Sequence, residues 1–439
     1  MTQQKFLTYP DLPSTADVIV IGGGPAGTAA LWAIERAAPG TKTVLIEQSD
    51  RLGAGSSTAS LENYRTCWPA IPMMKQMQRS VEVFHNADAY LGEGTQQSIH
   101  IKERGYLFCA FTDRQAEGLR RDVERLHSIG LAHIEYLERD EVAYRYGWLG
   151  EKVIAAKFDP IAGWLDSNAL IYRYAQNAHS AQIVLGVPEV SICVKGSTLA
   201  GIKTPHGEVA APIVVIACGA NARRVCRTAG VELPLVIRPR QSVTTASRHP
   251  EFPEDGPMVI GSASHPHMRP EARTGAIFGW EYTWHNKRAR ELGYEVEGAP
   301  ADALIEPVYP LTPFKDPRYP SLAVALLARQ FGHKDGEGFA HPNYMRGVHQ
   351  NIGYYVYRDH TAACKADGTG YESERALIDA VPGVEGLFAS VAHVGHGIMT
   401  SPAAGEIIAS KVLGLPLADA AFAAFGFDAL YVEYDEAVL

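Results

Sequence analysis

The residues best arranged for chemistry are three glycines and one carboxylate near the start of the chain. Gly22, Gly24 and Gly27 follow an apolar β-branched run, Val18 to Ile21, and Glu47 closes a second run that begins at Thr41. In the spacing Gly-x-Gly-x-x-Gly each glycine has its own task. Gly22 permits a tight turn off the strand, Gly24 lets the backbone approach a pyrophosphate, and Gly27 lets the next helix pack closely on a sheet. Pro25 and Ala26 open that helix, whose free N–H groups and dipole favour phosphate charge. Glu47, followed by Gln48, is placed to accept two hydrogen bonds from an adenosine ribose. Its charge would repel a 2′-phosphate, which leaves FAD or NAD as the expected ligand and disfavours NADP.

A second chemistry-bearing set lies near the C-terminus. Gly395, His396 and Gly397, continuing through Ile398, Met399 and Thr400, can bring bare backbone N–H groups against a planar ligand. Ser401-Pro402 then reads as a helix start, with a hydroxyl N-cap and proline at the first helical position. A helix N-terminus aimed at the ligand would favour negative charge on it by about 0.3–2 kcal/mol.

The elements that must position these residues follow from periodicity. Asp17 to Glu47 reads as a β-α-β unit whose helix carries Ala26, Ala30, Ala33 and Ala37 and stops at Pro39-Gly40. Residues 75–145 read as mostly helical and amphipathic, with a short strand at Gly105 to Cys109. Ser167 to Ala178 reads as a helix, Ala181 to Leu185 as a strand, and Ser191 to Thr204 as a hairpin turning at Lys195-Gly196. Ala211 to Gly219 reads as a buried parallel strand that opens a helix at Asn221. Residues 230–350, rich in Pro, His, Tyr and Trp, read as a distinct, mostly β segment. The end of the chain returns to the first style, with a strand before Ser390 and a helix over Ala403 to Leu413.

Composition bounds the rest. The chain has 439 residues, 46% hydrophobic and 20% charged, as expected of a soluble globular enzyme of one elaborated domain or two. A net charge of −9 provides no basic footprint for nucleic acid. Six cysteines without a CxxC and 16 histidines without a metal-ligand pair predict neither a disulfide framework nor a metal site. The N-terminal residues lack the apolar core of a secretory signal, and the apolar stretch Val18 to Ile34 is interrupted by Gly22-Gly23-Gly24-Pro25. No membrane-spanning segment and a cytoplasmic location are expected.

Taken in order, these motifs resemble the D-amino acid oxidase superfamily of FAD enzymes, which includes glycine oxidase, sarcosine oxidase and proline/opine dehydrogenase subunits. The resemblance runs from residue 16 to about 415. It rests on Val20 to Gly27, Glu47, the Gly53–Ser57 loop with Gly55, Ser56 and Ser57, the segment Ile183 to Val190, and Val215 to Ala220 with Cys218 and Gly219. It continues in Met268 to Glu271, Pro382 to Gly386, and Gly395 to Pro402. It implies an α/β fold: a Rossmann-type FAD-binding domain of the glutathione-reductase type, interleaved with an α+β substrate domain on an antiparallel sheet. The division expected is 16–90, 151–230 and 351–425 for FAD, 91–150 and 231–350 for substrate, and 1–15 and 426–439 as terminal extensions.

The resemblance also implies the activity. Hydride transfer from a carbon beside nitrogen to flavin N5 would oxidise an amino acid or secondary amine to an imine, with oxygen or another acceptor reoxidising the flavin. Alternatives are oxidation of a 2-hydroxy acid or a glycerol phosphate, or a non-catalytic flavin-carrying subunit; homo-oligomerisation is left open. Monomeric sarcosine oxidases have a lysine two residues after Gly-His-Gly, where this chain has Met399, so this segment resembles the proline/opine dehydrogenase type. The resemblance further implies a clamp for a substrate carboxylate, which the guanidinium fork of an arginine matches bidentately. The candidates are Arg65 first, Arg358 second and Arg269 third, with Tyr354, Tyr355 and Tyr357 as pocket lining or hydrogen-bonding groups. Some relatives bind flavin through a cysteine near the position of Cys364.

Overall fold

In the computed structural model of the protein the described residues are 5–262, 265–280, 315–341, 343, 345–359, 372–373 and 375–429. Cys364 and its neighbours lie outside them. Two large sheets organise the chain. The first has seven strands in the order Phe6–Thr8, Gln182–Leu185, Thr43–Ile46, Val18–Ile21, Ile213–Ile216, Leu387–Val391, Leu377–Ala380. All neighbours are parallel except the final antiparallel pair. Val18–Ile21 and Thr43–Ile46 are buried at every position. That is why both read as unbroken apolar runs: helices and sheet cover the two faces of a parallel strand. Helix Pro25–Ala37 packs between helices Ser167–Asn177 and Ser401–Leu413.

The second sheet has nine strands: Glu372–Ser373, His349–Asp359, Leu235–Thr245, Gly275–Gly279, His267–Glu271, Met258–Ile260, Tyr106–Ala110, Ala155–Asp159, Glu135–Glu138. It is antiparallel except between Met258–Ile260 and Tyr106–Ala110. A Rossmann-type parallel sheet beside an α+β unit on an antiparallel sheet matches the expected fold class. Ser56 joins the two units. Its hydroxyl donates to the Tyr354 carbonyl and accepts from the Tyr354 N–H, each at 2.9 Å.

Several local expectations change. Phe6–Thr8 is an edge strand of the first sheet, paired with Gln182–Leu185, and so is more than a terminal extension. Ala155–Asp159 belongs to the second sheet, although the sequence places 151–230 in the first unit. Residues 230–350 include helix Tyr319–Gln330, which buries Tyr319, Ala323, Val324 and Leu327. The C-terminal helix begins at Ser401 with Thr400 as its cap residue, so Pro402 falls in the first turn. Neither hydroxyl caps an N–H. Thr400 Oγ1 donates to the His396 carbonyl at 2.8 Å, and Ser401 Oγ to the Ile398 carbonyl at 2.8 Å. Among the described residues, no helix is long and apolar enough to cross a membrane and no group of three or more His, Cys, Asp or Glu could hold a metal.

Candidate functional site

A continuous cavity of about 400 Å³ begins at the carboxyl ends of the first sheet's parallel strands and reaches the second sheet. That is where open α/β sheets bind ligands. Gly22, Gly24, Pro25 and Ala26 line it, as do Glu47, Gln48, Gly55, Ser56, Ser57, Val190, Cys218 and Gly219. The glycine turn is built as its spacing predicts. Gly22 has φ +116°, and a Cβ there would fall 2.5 Å from the Ala217 carbonyl oxygen. Gly27 is not on the wall. A Cβ on it would sit 1.9 Å from the Gly22 carbonyl oxygen, so it serves packing of the helix against the turn. At Gly24, Gly55 and Gly219 a Cβ would meet no atom within 4 Å. The cradle is therefore walled by glycine backbone and open towards the cavity, with room for a dinucleotide pyrophosphate.

Glu47 stands at the strand end. Its two oxygens accept from the Gly23 N–H at 2.6 Å and the Ser49 N–H at 2.8 Å. Burial pushes its carboxyl up, and these N–H groups oppose the shift. The carboxylate lines the cavity at the strand end, which fits the expected ribose contact. Gln48 Nε2 donates to the Pro188 carbonyl at 3.0 Å, tying this corner to the segment before Val190. Asn221 Oδ1 is buried in the same wall with no hydrogen-bond partner among the described residues. The donor set and the open glycine cradle fit FAD.

At the other end the wall is made of Gly395, Gly397, Ile398 and His393 with Arg240, Gln241, Ser242, His267, Trp280, Tyr354 and Tyr355. His396, Met399 and Thr400 lie behind this surface and are buried; Met399 belongs to the hydrophobic core. The Met399 side chain does not line the cavity. Burial pushes the His396 imidazole down to about 3 and His393 to about 4, so both are neutral near pH 7. Glycine at 395 follows from crowding: a Cβ there would lie 2.5 Å from the Tyr355 hydroxyl.

The three arginines part company. Arg358 donates to the carbonyls of Gly426 (2.8 Å) and Phe427 (2.7 Å), so it fastens the C-terminal segment and is not on the cavity wall. Arg269 is taken by the Leu61 carbonyl, the Pro270 carbonyl and Glu271. Arg65 is different. It is only 5% exposed, its Nη1 is buried without a partner, and its guanidinium makes no hydrogen bond or ion pair among the described residues. It lies 4.1 Å over the Trp68 ring and 5.5 Å from Phe108; Trp68 packs edge-on against His396 at 4.4 Å. Arg65 is not on the cavity wall either: it sits one layer behind the Gly395–Gly397 loop. Sequence reasoning missed Arg240, which lines the cavity and donates to the Tyr357 hydroxyl at 2.6 Å. It also missed Gln241, His267 and Trp280. No local motif marks these residues, because strand pairing in the second sheet brings them together.

Comparison with known proteins agrees with this geometry. A family model described as FAD dependent oxidoreductase (DAO) matches residues 17–331. Dimethylglycine dehydrogenase of Rattus norvegicus mitochondria is 25% identical over 300 residues, 66% of this chain and 34% of that protein. Mitochondrial sarcosine dehydrogenase of Homo sapiens is 27% identical over 247 residues, 53% of this chain and 26% of that protein. The aligned part thus spans only a quarter to a third of the length of these relatives. The crystal structure of L-proline dehydrogenase from P. horikoshii superposes with a TM-score of 0.72 at 21% identity, over 94% of this chain and 97% of that one. That is agreement in fold. With the family matched over most of its length and a cavity whose residues fit the cofactor, this chain belongs to the DAO family of FAD-dependent oxidoreductases.

Proposed function

We propose that the chain oxidises the carbon–nitrogen bond of a small amino acid or secondary amine that carries a carboxylate. The observation that carries this reading is Arg65. A buried guanidinium without a counter-charge is costly, and a substrate carboxylate would repay that cost by pairing with it. Bound FAD supplies the acceptor for a hydride from the carbon beside nitrogen, leaving an imine that water hydrolyses. The residues do the rest. Gly22, Gly24, Glu47, Gly55, Ser56, Ser57 and Gly219 would hold the nucleotide portion, and the Gly395–Ile398 backbone would face the ring system. Arg65 would offer its guanidinium to the carboxylate from its seat on Trp68, one layer behind the Gly395–Gly397 loop. Tyr354, Tyr355 and Trp280 wall the pocket. Neutral His393 and His396 add no competing cation beside Arg65.

The test is anaerobic mixing of the yellow holoprotein with sarcosine, N,N-dimethylglycine, glycine, L-proline, L-lactate and glycerol 3-phosphate. Bleaching of the flavin by an amine-bearing member supports the reading. Bleaching by lactate or glycerol phosphate alone overturns it.

A further inference from the structure

Asp159 is fully buried and lies off the cavity wall, yet it is the anchor of the segment that carries Arg65. Its Oδ2 accepts from the Thr66 N–H at 2.6 Å, the Thr66 hydroxyl at 2.9 Å and the Cys67 N–H at 3.0 Å. Thr66 and Cys67 directly follow Arg65. The turn closes on itself beyond them: the Trp68 N–H donates to the Thr66 carbonyl at 2.8 Å, and Trp68 Nε1 to the Arg65 carbonyl at 3.2 Å. His133 Nε2 lies 2.7 Å from Thr66 Oγ1 and 3.8 Å from Asp159 Oδ1, so the cluster reaches the half-buried face of the molecule. Lys157, two residues earlier on the same strand face, ion-pairs with Asp122 and lies 4.3 Å over Phe108, the ring that also flanks Arg65.

A buried carboxylate is expensive unless it is richly hydrogen-bonded, so it is an odd choice where only loop anchoring is needed. Here all three of its donors come from the two residues next to Arg65. Among the described residues Oδ1 has no hydrogen bond. The arrangement trades stability for a fixed backbone at one place, between a rigid strand of the second sheet and the arginine of the proposed substrate site.

We propose that Asp159 is a positioning residue: through the Thr66 and Cys67 N–H groups it fixes the Arg65 guanidinium on Trp68, beside the Gly395–Gly397 loop. This rests on the reading of Arg65 as the carboxylate partner. Asp159→Asn keeps the shape but weakens the acceptor, letting the turn and Arg65 move. The test is a double-substitution cycle on the holoenzyme, with sarcosine or whichever amino acid of the panel above reduces the flavin fastest. Asp159→Asn should raise KM about 10- to 100-fold while kcat and FAD occupancy stay within about twofold of wild type. In an Arg65→Lys background the same change should add less than about twofold, because its route is already cut.

Full multiplication of the two losses overturns the proposal, as does an unchanged KM in Asp159→Asn. If Arg65→Lys itself leaves kcat/KM unaltered, the clamp reading fails and the proposal falls with it, a result distinct from the previous two. Should Asp159→Asn not fold, Thr66→Val keeps both backbone bonds and deletes the hydroxyl bond. It should then raise KM about two- to fivefold with kcat retained, and an unchanged KM there overturns the proposal.

Discussion

At the scale of single residues, the glycines make the sharpest contrast. An added side chain at Gly24 meets no protein atom, whereas one at Gly27 collides with the Gly22 carbonyl. Gly24→Val should therefore fold with a thermal midpoint close to that of the wild-type apoprotein and yet purify colourless. Gly27→Val should lower the midpoint itself, since backbone must shift to admit it. Absorbance near 450 nm and a melting curve on each variant decide this; flavin bound at full occupancy in Gly24→Val would remove the pyrophosphate from that space. The arginines separate in the same manner. Arg65→Lys loses a bidentate donor and should cost about 2–5 kcal/mol of transition-state binding, roughly 30- to several-thousand-fold in kcat/KM. Arg358→Lys should leave kcat/KM within about threefold and instead lower thermal stability, because the Gly426 and Phe427 carbonyls lose their donors.

At the scale of elements, the loop from His393 to Thr400 couples pH to stability. Both histidines are neutral when folded, with pKa values of about 4 and about 3, whereas an unfolded histidine binds a proton below about 6.5. The unfolded chain therefore holds more protons between these limits, and stability rises with pH there. Their stabilising contribution is complete above about pH 6.5 and is lost as pH falls towards 4, at up to about 1.4 kcal/mol per unit for each histidine. The melting temperature followed from pH 7.5 to 4.5 should fall steeply in wild type and less steeply in His396→Gln; parallel curves would contradict the assignment. The helix after this loop has no side-chain cap on its first turn. If that turn faces the flavin ring, sulfite should bleach the visible band of the oxidised holoprotein, because its positive end would stabilise the adduct's charge. A flavin inert to sulfite would count against that geometry.

At the scale of the molecule, the cavity exists because two sheets meet along a short seam. Ser56, in the loop after the first β-α-β unit, makes two hydrogen bonds to Tyr354 of the second sheet, and Ser242 donates to the Ala59 carbonyl at 3.0 Å. Ser56→Ala removes both bonds at a part-buried site and should cost about 1–3 kcal/mol. FAD affinity should fall with it, since Ser56 lines the cavity. Flavin release on dilution, measured by fluorescence beside the melting temperature, checks both effects.

The nucleotide half of the site was legible in the sequence because its determinants are local. A strand, a glycine turn, a helix start and an acid at the next strand end lie within Asp17 to Glu47, and each residue type answers a backbone requirement of that one unit. The same locality carries the Gly395–Gly397 loop. The cavity wall on the second sheet was not legible. Arg240, Gln241, His267 and Trp280 reach one wall through pairing among Leu235–Thr245, Gly275–Gly279 and His267–Glu271, and cross-strand register leaves no periodic mark on any one segment. The three arginines make the point most plainly. The sequence ranked Arg65 above Arg358 and Arg269, but only tertiary structure assigned Arg358 and Arg269 to backbone carbonyls and left the Arg65 guanidinium without a hydrogen bond among the described residues. A residue's type sets which interactions it can make; the charges and acceptors that surround it, brought from distant parts of the chain, decide which remain to be made.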